Sequence, residues 1–152
     1  LESFRGTLFR QTMFAEFEQK AHEMAVTGES LTSQSLCSIY KKLNEDYFGP
    51  DTVIDPEIQY EWERIPHFYT PFYVYQYATG FSAAIAISRK IFNGEPGILE
   101  GYRKFLSGGC CDTPIELLKL AGVDMSHTGP VEEALKFFEE LLNEFEELVH
   151  RF

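Results

Sequence analysis

Apolar residues recur at helical spacing along nearly the whole chain. Leu1, Phe4, Leu8, Phe9, Phe14, Phe17, Ala21 and Met24 form one long amphipathic pattern that stops at Thr27-Gly28. Thr32 predicts the cap of a second helix, with Leu36, Ile39, Tyr40, Leu43 and Tyr47 on its apolar side and Gly49-Pro50 as its stop. After the linker DTVIDP, the stretch EIQYEWERI predicts a short helical turn broken at Pro66. Thr70-Pro71 has the form of a helix start, a capping hydroxyl followed by proline at the first helical position, and predicts a helix running to about Arg89. FNGEPG separates that segment from a helix ending near Leu106, and SGGCCD reads as a loop in which Gly108-Gly109 stops the helix. Thr113-Pro114 repeats the cap-and-proline device and opens IELLKLAG, which Gly122 closes; a last helix follows Gly129-Pro130. No alternating strand pattern of useful length competes. The expectation is an all-α, multi-helix bundle of six or seven helices, a single helical region over 1–152 with no internal boundary.

The chain starts without Met and enters helical periodicity at once, which predicts a piece of a larger protein. Net charge changes the list of partners. With 24 acids against 13 bases the formal charge is −11, which argues against nucleic acid and against anionic membranes, because both are gripped by basic side chains. Many of the acids lie in EEALKFFEELLNEFEELV, where a solvated helix face explains them. An apolar run of about 18 residues is missing, so a transmembrane helix is not expected. The cysteines are Cys37 and the adjacent Cys110-Cys111. They fit neither a disulfide framework nor a zinc knuckle, and read as reduced thiols of a cytoplasmic protein.

Two stretches invite a chemical reading. His22-Glu23 looks like the start of HExxH, but that zinc motif needs a second histidine one turn later, and Val26 stands there. It reads as a helix surface, and no other histidine has a partner at i+3 or i+4. The second stretch is IPHFYTPFYVYQYATG, residues 65–80, in which half of the eight tyrosines follow His67. With a helix starting at Thr70, Tyr73 and Tyr77 share one face, continued by the small Gly80 and Ala84. Phe68, Phe72 and Tyr75 point elsewhere and pack. Two phenols and an imidazole near one small volume suit a developing oxyanion. Tyrosines at helical spacing also suit a core, each hydroxyl finding one partner. Composition and spacing leave both readings open.

IPHFYTPFYVYQYATGFSAA resembles the C-terminal catalytic-domain region of the oligoendopeptidase F family, zinc metallopeptidases related to thimet oligopeptidase and neurolysin. FRQTMFAEFE resembles the helix following the zinc-binding part of that family, and GYRKFLSGGCCDTPIELLKLAGVDM its late segment. The likeness runs in order along essentially the whole chain. It implies the C-terminal part of an all-helical, neurolysin-like zincin catalytic domain that cleaves short peptides in a deep channel. It also implies that His67 and Tyr77 are catalytic and stabilise the tetrahedral intermediate. Tyr73 and Tyr69 are implied to contact substrate. Zinc is the implied cofactor of the full-length enzyme. The family's HExxH and its third, glutamate ligand belong upstream of Leu1. No metal is therefore expected in this piece, which should be inactive alone and prone to self-association through exposed apolar surface. The alternative is a stand-alone helical interaction domain whose aromatic stripe is core or a partner groove.

Overall fold

The computed structural model describes residues 1–151, and every regular element among them is helical. A π-helical segment, Phe4–Phe9, runs directly into α1, Arg10–Thr27. Gly28 ends α1 at φ 81°, and its N–H turns back to the carbonyls of Ala25 and Met24. α2 spans Ser33–Phe48 behind a reciprocal cap: Thr32 Oγ1 accepts from Ser35 N at 3.1 Å, and Ser35 Oγ accepts from Thr32 N at 3.0 Å. Two 3₁₀ segments follow, Pro56–Arg64 and Pro66–Tyr69, separated at Ile65. α3 is Tyr75–Phe92, α4 Ile98–Gly108, α5 Pro114–Leu120 and α6 Gly129–Val149. Thr113 caps α5 and Pro114 opens it, as the sequence predicts, and α4 stops at Gly108 with Gly109 at φ 56°. No helix among the described residues is long and apolar enough to cross a membrane.

One predicted start is wrong. Thr70-Pro71 does not open α3, which begins at Tyr75. Thr70 instead closes the preceding turn, donating its N–H to the His67 carbonyl at 3.0 Å. Proline suits the second position of a tight turn as well as the first position of a helix, because both need φ near −65°. Phe72 then excludes the helix: its φ is 56°, a left-handed conformation that no right-handed helix contains.

By its internal contacts the chain divides into two compact units, residues 5–78 and residues 1–4 with 79 onward. In the first, Met13, Phe14 and Phe17 of α1 pack on Tyr40 and Leu43 of α2, together with Ile65 and Val74. The 3₁₀ segment is tied in by a buried carboxylate. Glu61 accepts from the Tyr40 hydroxyl at 2.7 Å and from Arg10 at 2.7 Å, and pairs with Arg64. Burial alone would raise the Glu61 pKa, but the bonds from Arg10 and Tyr40 and the two guanidinium charges outweigh it and hold it below the ordinary value. Burial first, and then the bond to Glu61, keep the Tyr40 phenol protonated far above its usual range.

In the second unit, Ala83, Ala86 and Ile87 of α3 meet Ala121 and Val123, with Ile91, Tyr102, Phe105, Leu118 and Met125 around them. The small α3 residues let neighbours come close. α4 and α5 approach closely too: a Cβ on Gly101 would overlap the Leu120 carbonyl oxygen. Phe4 sits edge-on to Phe81 at 5.0 Å, and Arg89 pairs with Glu140 at 2.6 Å.

Candidate functional site

The aromatic stretch 65–80 is pinned at two points within the first unit. Phe68 packs on Phe14 and Phe17 at ring-centroid distances of 5.7 and 5.3 Å, so it lies against the core as the sequence reading expects. Val74, completely buried, is the second anchor. Between them the chain makes its turn, and His67, Tyr73 and Tyr77 come together around it.

The Tyr77 hydroxyl lies 3.3 Å from His67 Nε2. The Tyr73 ring is 6.0 Å from the imidazole, nearly parallel to it, and 5.6 Å from the Tyr77 ring, nearly perpendicular. Although Tyr73 is outside α3, the turn delivers it to the place that a shared helix face was expected to provide. A hydrogen bond with Tyr73, then partial burial and the Tyr73 charge, raise the Tyr77 pKa above its ordinary 10.0. Tyr77 is therefore a protonated donor at neutral pH. With the His67 proton on Nδ1, Nε2 accepts from Tyr77; with the proton on Nε2, the ring is itself a donor toward the same volume. The cluster presents hydrogen-bond donors that a carbonyl oxygen gaining negative charge can use. Tyr69 is not brought in: it is 84% exposed and makes no described hydrogen bond or ring contact with the other three.

Phe72 and Tyr75 do not pack as expected. They are 54% and 50% exposed and line a groove of about 590 Å³ together with Glu16, Glu18 and Lys20. The reason is the turn itself, which swings Phe72 out of the register that a helix from Thr70 would have given it. An aromatic residue at φ 56° costs on the order of 1–2 kcal/mol. Two residues of α1 hold it there. Glu18 Oε1 accepts the Phe72 N–H at 2.7 Å, and the His22 ring lies 4.7 Å from the Phe72 ring. Sequence reasoning missed Glu18 altogether. Its position in α1 looks like any helix acid, yet it is only 6% exposed, and its partner is 54 residues away.

Among the described residues no group of three or more His, Cys, Asp or Glu side chains could hold a metal ion. His22 is committed to Phe72 instead. What His67, Tyr73 and Tyr77 offer together is an imidazole and two phenol hydroxyls. The cysteines are free thiols: Cys37 is buried and accepts from Trp62 Nε1 at 3.5 Å, while Cys110 and Cys111 are exposed.

Comparison with known proteins matches residues 1–137 to Peptidase family M3. The chain is 55% identical over 150 residues to "Oligopeptidase PepF" of Bacillus subtilis, covering 98% of this chain and 22% of that protein. It is 51% identical over 151 residues to the chromosomal oligoendopeptidase F of Lactococcus lactis subsp. cremoris, covering 99% of this chain and 25% of that one. The crystal structure of oligoendopeptidase-F from Enterococcus faecium superposes with a TM-score of 0.95 at 52% identity, over 98% of this chain and 29% of that chain. The chain thus spans about a quarter of the length of the relatives it matches.

Proposed function

Since this chain belongs to Peptidase family M3, we propose that it is the C-terminal helical part of a cytoplasmic, zinc-dependent oligoendopeptidase that hydrolyses short peptides. The likeness to named oligopeptidases over nearly the whole chain supports the peptidase reading above that of a stand-alone interaction domain. In this reading residues 1–152 form one helical region of a larger catalytic domain. The zinc ligands are assigned to residues outside it, and the piece alone hydrolyses nothing. Tyr69, exposed on the turn, is left the looser role of a substrate contact.

The observation that carries the site assignment is the contact of Tyr77 with His67, with Tyr73 completing the cluster. Tyr77 and His67 donate to the carbonyl oxygen of the scissile peptide as it becomes an oxyanion. Their positions are set before substrate arrives, so little reorganisation is needed as charge develops. Tyr73 keeps the Tyr77 proton in place and offers a second hydroxyl to the peptide. Tyr77→Phe in the full-length peptidase removes one oxygen and tests this directly. The expected loss is on the order of a hundredfold in kcat with KM little changed. An unchanged kcat would remove Tyr77 from the mechanism.

A further inference from the structure

We propose that Glu18 and His22 are positioning residues of the peptidase, clamping Phe72 by its backbone and its ring so that the turn delivers Tyr73 to His67 and Tyr77. The inference rests on the reading of that cluster as the catalytic donor group. Glu18 and His22 are one helical turn apart on α1, so both side chains project from the same face. Each takes a different part of one residue: Glu18 its N–H at 2.7 Å, His22 its ring at 4.7 Å. That residue is also the one non-glycine at positive φ among the described residues. It immediately precedes Tyr73, and a change of φ at Phe72 swings everything after it until Val74 re-enters the core. The N–H and the ring lie on opposite sides of the Phe72 N–Cα bond, so holding both from one face of α1 fixes φ, and relaxation to negative φ gives up one of the two contacts. Glu18 is more than nine-tenths buried, which shields that bond from competing water. The histidine that resembled half of a zinc motif thereby acquires a use that involves no metal.

The test combines kinetics with amide hydrogen exchange, both in the full-length peptidase. The Phe72 amide is expected to exchange at least tenfold more slowly than an open turn amide, to lose that protection in Glu18→Ala, and to keep it in Glu18→Gln, whose amide oxygen accepts the same bond. Glu18→Ala should lower kcat at least tenfold while KM stays within threefold, and Glu18→Gln should stay within threefold of the parent. Adding Phe72→Gly to Glu18→Ala should recover several-fold of the lost kcat, since glycine adopts φ near 56° without strain. His22→Ala should cost two- to fivefold. An unprotected Phe72 amide in the parent protein would overturn the clamp, and that measurement needs no variant to fold. So would a Glu18→Ala enzyme with full kcat in a protein where Tyr77→Phe is crippled. If Tyr77→Phe is harmless, the catalytic reading of the cluster fails, and the exchange of Phe72 in Glu18→Ala alone decides the clamp: loss of protection supports it and retention overturns it.

Discussion

The hydroxyl of Tyr77, on the first turn of α3, meets Nε2 of His67, on the 3₁₀ turn before it, at 3.3 Å. Ten residues separate the two in sequence, and the turn through Phe72 closes the distance.

His67→Ala in the full-length enzyme should lower kcat by one to two orders of magnitude, because it removes a donor and the partner of Tyr77. The pH profile carries a second expectation. A raised pKa means that Tyr77 keeps its proton beyond the ordinary 10.0, so its ionisation should cause no loss of kcat below that pH. A basic limb in kcat that appears below pH 10 in the parent and vanishes in Tyr77→Phe would contradict this assignment.

Glu61 couples stability to acid. Its folded pKa lies below the ordinary 4.5, so its contribution is fully present above that value and is lost as the pH falls through the depressed pKa. Urea midpoints should therefore drop more steeply with acid in the parent than in Glu61→Gln. Glu61→Ala should destabilise by about 3–5 kcal/mol, since Arg10 and the buried Tyr40 hydroxyl lose their common acceptor.

Two glycines in helices should respond oppositely to alanine. Gly101→Ala forces a methyl group onto the Leu120 carbonyl oxygen and should cost about 1–3 kcal/mol. Gly80→Ala meets nothing within 4 Å and should gain about 0.5–1 kcal/mol from helix propensity. Denaturant midpoints of the two variants check both signs.

Thiol labelling under native conditions should modify Cys110 and Cys111 quickly and leave Cys37, buried under Trp62, for the unfolded state. Equal rates at all three thiols would contradict the placement of Cys37.

The isolated chain should self-associate as its concentration rises. Leu142, Phe145, Leu148 and Val149 are exposed near the end of α6, alongside its acids. Sedimentation velocity over a range of concentrations measures this, and a monomer throughout would rule it out.

The sequence alone determined most helix boundaries, because caps and stops act within a few residues. Thr32 with Ser35, Thr113 with Pro114, and Gly28 each satisfy backbone groups of their own helix. It also singled out His67, Tyr73 and Tyr77, although the roles proposed for them rest on family resemblance rather than on spacing. Thr70-Pro71 misled because one dipeptide serves a turn and a helix start equally well. Nothing local predicts that a phenylalanine will take positive φ; the residues that meet it there, Glu18 and His22, come from a different element. Only the tertiary structure decided those points, and Glu61 with Tyr40 and Arg10 belongs with them. Such polar groups are recognised by partners tens of residues away, and a buried carboxylate in a helix has the same local signature as a solvated one until the chain folds back to meet it.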